Sequence, residues 1–214
     1  EDGSIAQVRA VAVNEHVTVV GGSIAHPDAA LYEDGTVRKP VVWISADDGA
    51  HWKEVHLDSL DAPDASVTAI AVGDNTFHAI GVLTDRAWGL GGQGLDNSQD
   101  LAEWRPSPGD VFSWTVSTLT EPGAQTPYAM VANTSNVYVV GTSSEESAGY
   151  RRPVVWESDD TGLVRRKEFS SLEGDVSGIA GAVRIGDRWL VAGTWYPGGD
   201  VVSGRANWLL IGQG

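Results

Sequence analysis

Short apolar runs separated by polar turns recur along the whole chain, and no segment keeps a helical period. A small apolar run opens each of four groups: VRAVAV at 8–13, VTAIAV at 67–72, YAMVA at 128–132 and SGIAGAV at 177–183. After a tight polar turn, a second run ends at or near a glycine in each group: VTVVGG, FHAIGV, VYVVGT and WLVAGT. Apolar runs of this length, bounded by turn residues, are typical of β-strands. The chain is therefore predicted to be all-β.

Tryptophan marks the third run of each group, and its spacing defines a repeat. Trp43, Trp104, Trp156 and Trp208 follow one another at intervals of 61, 52 and 52 residues. A fourth, less regular run comes next at 51–57, 113–119 and 165–172. A repeat of this length with four strands per unit predicts an array of small, similar sheets. We predict one β-propeller domain over 1–214, with about four four-stranded blades at about 7–62, 65–121, 126–174 and 177–214.

The fourth blade is predicted to lack its outer strand, because the sequence continues only to Gly214 after Trp208. An unclosed propeller exposes a sheet edge and the apolar flanks of its terminal blades. Three arrangements stay open from the sequence: a compact four-bladed ring, two chains that complete a larger ring, or part of a propeller of about six to eight blades. Self-association, or a partner chain that completes the propeller, is thus one expectation.

Composition and charge exclude several classes of function. The chain has 214 residues, 42% of them hydrophobic, and a formal net charge of −15 from 29 acidic and 14 basic residues. No basic stripe is present to neutralise phosphates, and no apolar run approaches the ~18 residues of a membrane helix. Nucleic acid partners and membrane insertion are therefore not predicted. The absence of cysteine excludes thiol chemistry, and the Gly-, Ser-, Thr-, Asp- and Trp-rich composition predicts a secreted bacterial protein.

A polar motif stands where the third run turns into the fourth. The first repeat has the pattern S-x-D-x-G-x-x-W, and the third keeps all but the tryptophan; the motif residues are Ser45, Asp47, Gly49, Trp52, Ser158, Asp160 and Gly162. Such a carboxylate can accept backbone N–H groups within the turn, while glycine takes the left-handed conformation. The tryptophan is expected to pack back on the hairpin.

This motif resembles the Asp-box (BNR) repeat of sialidase-type β-propellers, which also occurs in other glycosidase and assembly-factor propellers. The resemblance extends over the whole chain, since the motif copies are in register with the repeat. It implies a sialidase-like β-propeller fold. In those families the Asp-box fastens a turn, so the motif residues are expected to be structural rather than catalytic.

The long segments between second and third strands, at 23–38, 83–102, 142–152 and 194–205, are predicted to lie on the face opposite the short turns. Long loops held by a rigid scaffold commonly carry function. Aromatic rings can stack on sugar rings, and arginine can bind carboxylates or hydroxyls. The candidate ligand-binding residues are Arg38, Arg86, Trp88, Tyr150, Arg151, Trp195, Tyr196 and Arg205.

No cofactor, metal or catalytic residue is assigned from the sequence. Asp96, Ser98 and Asp100 alternate as calcium ligands do, but the sixth position of that segment is Leu101 rather than glycine. The twelfth position is Ser107, where a calcium loop would have glutamate. The sequence therefore favours no metal site.

Three functions fit these patterns. The first is a secreted binding module with a glycan or protein ligand on the long-loop face. The alternative is a sialidase-like glycoside hydrolase, since Tyr150–Pro153 (YRRP) resembles the F/Y-R-I-P motif of sialidases. Such an enzyme would need a cluster of three arginines, for which Arg38, Arg151 and Arg205 are the candidates. However, Val37–Pro40 (VRKP) occupies the same repeat position, which favours a repeat feature. The third function is a structural or assembly scaffold.

Overall fold

A computed structural model describes residues 4–26, 37–62, 64–73, 75–85, 98–119, 121, 123–132, 136–144, 151–159, 162–168, 174–186, 188–197 and 206–213. All of the regular secondary structure among these residues is β-strand, which confirms the all-β prediction. A membrane-spanning helix, long and apolar enough to cross, is not found within these ranges.

The strands fall into four groups along the chain. The first is β1 (Ile5–Asn14), β2 (Val17–His26), β3 (Val37–Ser45) and β4 (Lys53–His56). The second is β5 (Asp64–Gly73), β6 (Thr76–Asp85), β7 (Ser98–Ser107) and β8 (Asp110–Thr118). The third is β9 (Gln125–Ala132), β10 (Val137–Ser144), β11 (Arg151–Asp159) and β12 (Gly162–Glu168). The fourth is β13 (Gly174–Ile185), β14 (Arg188–Pro197) and β15 (Ala206–Gln213).

Each group forms one antiparallel sheet in which sequence neighbours pair. These sheets are the blades of a β-propeller, numbered 1 to 4 here, and the fold prediction is confirmed. Blades 1 to 3 have four strands, and blade 4 has three among the described residues, as predicted. We call the end with the β1–β2 and β3–β4 turns, and their equivalents, the turn face. The opposite end is the loop face.

The second and third strands extend further towards the loop face than the sequence predicted. The ladder between β6 and β7 continues to the pair Asp85 and Ser98, and the β13–β14 ladder continues to Gly174 and Pro197. The loops are therefore shorter than the sequence predicted, because the polar and glycine-rich residues at their ends still pair as strands. Trp195 and Tyr196 lie on β14 as a consequence, and Asp100 lies on β7.

The blades pack face to face through apolar cores. One core joins blades 1 and 2 around Val42, Ile44 and Trp104, and another joins blades 2 and 3 around Ile80 and Trp156. Both tryptophans are fully buried and point to the preceding blade; the Trp104 Nε1–H donates to the Asp58 carbonyl at 2.7 Å. The tryptophan repeat therefore marks the face that a blade turns to its predecessor, which we call its leading face. The opposite face is the trailing face.

The glycine repeat has a steric cause in the contact between first and second strands. Gly22, Gly81 and Gly141 each lie against a backbone carbonyl of the paired first strand, in each case at a register shift. A Cβ at Gly81 would overlap the Ser66 carbonyl oxygen and lie 3.0 Å from the Val67 Cα. Backbone cannot move aside cheaply, so only glycine fits at these positions.

Gly81→Ala is expected to lower the free energy of unfolding by about 2–4 kcal/mol, because an added methyl group forces two paired strands apart. The matched control is Gly109→Ala in the β7–β8 turn, where φ is +77° and an added Cβ meets no atom within 4 Å. Only the left-handed strain of about 1 kcal/mol applies there. Urea unfolding of both variants checks the difference, and equal losses would contradict the steric account.

Candidate functional site

The best-defined polar site on the loop face joins Arg38 of β3 to Asp64, the first residue of β5. The Arg38 backbone N–H and its Nε–H both donate to Asp64 Oδ1 at 2.9 Å. Arg38 Nη2 also pairs with Asp64 Oδ2. The Asp64 side chain is only 1% exposed, whereas 30% of the Arg38 side chain reaches solvent. The pair therefore holds a buried carboxylate beneath a guanidinium that opens on the loop face.

The link between blades 1 and 2 brings these residues together. The Leu57 N–H donates to the Pro40 carbonyl at 3.0 Å, which ties the start of the link to β3. Leu60 and Asp61 then adopt positive φ values of 49° and 65°, so the chain turns back sharply. β5 consequently begins beside β3 of the preceding blade, and Asp64 meets Arg38.

Further polar groups lie at the loop-face ends of the next blades. The Thr126 hydroxyl donates to Gln99 Oε1 at 3.0 Å between blades 2 and 3. Within the part of the chain that the structure describes, the buried hydroxyls of Ser23, Thr84 and Thr142 make no hydrogen bond. Buried hydroxyls without partners are unfavourable. The loop-face end of the blade interfaces is thus polar, in contrast to their apolar centre.

A second polar cluster lies near the turn face between blades 2 and 3. Its carboxylate, Glu103, is fully buried and accepts hydrogen bonds from His78 Nδ1 at 2.7 Å, Arg105 Nη2 at 2.9 Å and Ser158 Oγ at 2.6 Å. Arg105 Nη2 also donates to the Asp159 carbonyl at 2.7 Å. We call His78, Glu103, Arg105 and Ser158 the inter-blade cluster.

The protonation state of the inter-blade cluster follows from opposing effects on Glu103. Burial raises the pKa of Glu103, but hydrogen bonds from His78, Arg105 and Ser158 together outweigh that effect and hold the pKa below its usual value. Glu103 is therefore ionised at neutral pH. Because Ser158 donates to this carboxylate and not to an imidazole, the cluster is arranged to join two blades rather than to activate a nucleophile.

The polar motif of the first repeat folds into a closed network at the turn face. Asp47 Oδ1 accepts the Ser45 hydroxyl at 2.8 Å and the His51 backbone N–H at 2.9 Å, while the Ser45 Oγ accepts the Gly49 N–H at 2.8 Å. Gly49 has a φ of +89°, and the Trp52 Nε1–H donates to the Gly49 carbonyl at 3.1 Å. Each motif residue thus satisfies another group of the same turn.

These hydrogen bonds, led by the one from the His51 backbone N–H, lower the pKa of Asp47 to about 2. Because folding lowers this pKa, the ionised Asp47 carboxylate stabilises the turn at every pH above the ordinary carboxyl pKa of 3.8. This stabilisation is lost as the pH falls towards about 2. We expect an NMR titration to place the Asp47 midpoint near pH 2. In Ser45→Ala, which removes one donor, the midpoint should move upwards; an unchanged midpoint would show that Ser45 does not hold the carboxylate.

The third repeat uses its motif serine differently. Ser158 corresponds to Ser45, yet its hydroxyl donates across the blade interface to Glu103. Gly162 keeps a positive φ of 118°, as the motif requires. Asp160 lies outside the described residues. A serine that closes its own turn in blade 1 therefore joins two blades in blade 3.

The structure places only some of the predicted ligand-binding residues. Arg38 is bound by Asp64, and Arg151 is exposed as the first residue of β11. Trp195 and Tyr196 lie on β14, but their side chains are outside the described part, as are Arg86, Trp88, Tyr150 and Arg205. Among the described residues, no group of three or more His, Asp or Glu side chains is placed to hold a metal ion.

Sequence reasoning missed both polar clusters. Glu103 gave a signal, because it directly precedes a repeat tryptophan where Val42 and Val155 stand in the neighbouring repeats. An acid in place of a buried valine predicts a partner of opposite charge. Asp64 gave no such signal, since it ends a polar link whose path the sequence does not specify.

Comparison with known proteins gives a relationship at the level of fold. No family model and no curated protein matches this sequence. Among solved structures, the polysaccharide lyase Uly1 aligns with a TM-score of 0.59 at 14% identity, over 98% of this chain and 46% of its own. A B. megaterium levansucrase mutant aligns at 0.55 with 9% identity, over 98% and 66%. A Trypanosoma rangeli sialidase aligns at 0.53 with 16% identity, over 89% and 35%.

The chain thus spans less than two thirds of each of these proteins. Its sheets superpose on theirs along almost its full length, while the sequences have diverged. At such identities the similarity establishes architecture and leaves chemistry to the individual site. The chain has a β-propeller fold of the sialidase-like kind.

Proposed function

We propose that this chain belongs to a secreted, glycan-acting β-propeller of the glycoside hydrolase type, whose sugar site lies on the loop face. The observation that carries the proposal is the Arg38–Asp64 pair. A guanidinium held through Nε and Nη2 by a buried carboxylate is fixed in direction, and the 30% of the Arg38 side chain that reaches solvent suits contact with hydroxyl or carboxylate oxygens of a sugar.

The roles within this pair follow from exposure. Asp64 is 1% exposed, so it acts as a positioning residue, while Arg38 is the side chain that meets the ligand. Hydrolysis of a glycosidic bond also needs two further carboxyl groups, one as acid and one as base or nucleophile. The acidic residues of the segments at 27–36, 86–97 and 145–150 are their proposed source, namely Asp28, Glu33, Asp34, Asp96, Glu145 and Glu146.

The fold comparisons support an enzyme over a pure binding module. The three proteins described above are, by name, enzymes that act on carbohydrates, so the support is an analogy at the level of fold. The hydrogen bonding of the Ser45–Trp52 turn supports its assignment as an Asp-box. In that assignment the turn stabilises blade 1 and contributes nothing to the chemistry.

The test measures turnover and binding in parallel. The protein is incubated with a panel of fluorogenic glycosides, including a sialoside, and with polysaccharides assayed for new reducing ends. We expect at least one substrate to be hydrolysed, and Arg38→Gln to lower kcat/KM by about 10- to 100-fold, as expected when one charged contact is lost. Arg188→Gln on the turn face is the matched control and should leave kcat/KM unchanged.

Each outcome decides between the three functions. Glycan binding without turnover, weakened in Arg38→Gln, would replace the hydrolase with a binding module. Neither binding nor turnover across the panel would favour a scaffold. Thermal unfolding of both variants shows whether a loss reflects the site or the fold.

A further inference from the structure

The leading face of blade 1 exposes a row of valines. Val8, Val11 and Val13 of β1 are 62%, 61% and 61% exposed. They pair in register with Gly22, Val20 and Thr18 of β2, and Val20 pairs in turn with Trp43 of β3. All of these residues therefore lie on the side of the sheet that faces away from blade 2. Exposed apolar surface of this kind on one sheet face marks an interaction site.

The same register positions are buried in the next blade. Val67 and Ile70 correspond to Val8 and Val11, and they are 0% and 9% exposed. They pack on the trailing face of blade 1, where a Cβ at Gly21 would lie 2.5 Å from Ile70 Cδ1 and 2.7 Å from Val67 Cγ1. In blade 3, Pro127 is buried and Met130 packs in the core shared with blade 2. Another blade thus covers this face in blades 2 and 3.

The tryptophans show the same difference. Trp104 and Trp156 are fully buried against the preceding blade. Trp43 is only half-buried, and its Nε1–H donates at 2.9 Å to Glu54 on the edge strand of its own blade. The leading face of blade 1 therefore carries the residues of a blade interface and is exposed in the part of the chain that the structure describes.

A complementary surface lies at the other end of the array. Val183 and Ile185 of β13 are 43% and 66% exposed. They pair with Leu190 and Arg188 of β14, on the side facing away from blade 3, whereas Ala182 and Val191 pack towards blade 3. Between successive blades of this chain, the trailing face of one blade covers the leading face of the next. The trailing face of blade 4 is the equivalent surface.

We propose that the leading face of blade 1 docks the trailing face of blade 4 of a second copy of this chain. The contact continues an interface that the structure already repeats three times, between blades 1 and 2, 2 and 3, and 3 and 4. It joins two different surfaces and is therefore a heterologous contact; in the proposed dimer it forms twice, which closes one ring of two copies. The inference does not depend on the proposed glycan chemistry.

Sedimentation velocity of the purified chain tests the proposal. We expect a species of twice 22.6 kDa at micromolar concentration. Val13→Lys on one face and Ile185→Lys on the other should each weaken association by about tenfold or more, because each buries a charge without a partner. Both sites are exposed in the single chain, so circular dichroism and thermal unfolding at low concentration should be unchanged. High salt should strengthen association, because each copy carries a net charge of −15.

A mixture of the two variants separates this arrangement from the others. The Val13→Lys chain keeps its trailing face intact, and the Ile185→Lys chain keeps its leading face intact. A mixed dimer therefore contains one contact between two unchanged faces, so the mixture should form dimers more readily than either variant alone. A wild-type chain that stays monomeric at about 100 μM, which means a Kd weaker than about 100 μM, would overturn the proposal. Sensitivity to Val13→Lys alone would also overturn it, since it would indicate two leading faces in contact.

Discussion

Replacement of Arg105 by methionine is expected to lower the free energy of unfolding by about 3–5 kcal/mol, the largest loss we foresee for a single side chain on the turn face. The substitution removes the guanidinium from Glu103, which is fully buried and ionised. It also removes the hydrogen bond to the Asp159 carbonyl across the blade interface. Leaving a carboxylate buried without its cation costs much more free energy of unfolding than the intact ion pair contributes.

The neighbouring interface supplies the matched control. Register places Val19, Val42 and Ile44 of blade 1 where blade 2 has His78, Glu103 and Arg105. The triple variant His78→Val, Glu103→Val, Arg105→Ile therefore gives blade 2 an interface already present in this chain. Its free energy of unfolding should return to within about 2 kcal/mol of the wild type, because no charge is left buried. A triple variant as unstable as Arg105→Met would show that the loss comes from packing rather than charge.

The pH dependence adds an independent readout. The lowered pKa of Glu103 means that its ionised form stabilises the fold at pH values above the ordinary 4.5, and that this contribution falls as the pH drops further. The unfolding free energy of the wild type should therefore decrease on acidification. The triple variant lacks this titrating group, so its decrease over the same range should be smaller.

Arg38→Ala is expected to lower the free energy of unfolding by about 3–5 kcal/mol for the same physical reason on the loop face, since it removes the guanidinium that pairs with the buried Asp64 carboxylate. The double variant Arg38→Ala, Asp64→Ala removes both charges and should recover most of the loss. Urea unfolding of the two single variants and the double variant gives the coupling energy. Arg9→Ala is the control: Arg9 is exposed and its guanidinium donates to the exposed Gln7 side chain, so a change within about 0.5 kcal/mol is expected.

The same double variant separates stability from ligand recognition. It should fold nearly as well as the wild type but fail to turn over or bind the glycan, because the guanidinium proposed to contact the ligand is gone. A double variant that folds and keeps wild-type turnover would make the Arg38–Asp64 pair purely structural. A coupling energy near zero would instead show that solvent screens the pair despite the burial of Asp64.

Features of the fold whose physical cause is local are predictable from the sequence. Strand period, turn residues and the glycine repeat each depend on contacts a few residues apart, or on the partner strand of the same hairpin. The network of Ser45, Asp47 and Gly49 lies within one turn, so its hydrogen bonds were foreseeable from the motif. The loops were predicted too long for the opposite reason, because polar residues such as Ser98 and Asp100 still pair when the neighbouring strand offers a ladder.

The candidate site depended on contacts between blades. Arg38 was expected to face a ligand, and the structure shows it fixed by Asp64, 26 residues away along the chain. Ser158 was expected to close its own turn, and it donates to Glu103 instead, 55 residues away. Hydrophobic spacing cannot specify such pairs, because it sets which face of a strand is buried and not which polar groups meet there.

By itself, then, the sequence determined the repeat: apolar alternation, tryptophans and glycines specify four similar sheets, since strand pairing within each sheet depends on its own hairpins and turn residues. The tertiary structure decided how the faces are used. Packing blade on blade buried Trp104 and Trp156, placed Glu103 and Asp64 opposite arginines, and left Trp43 and the β1 valines uncovered. These outcomes depend on the order of blades in space, because burial and charge pairing arise only when one sheet lies on the next.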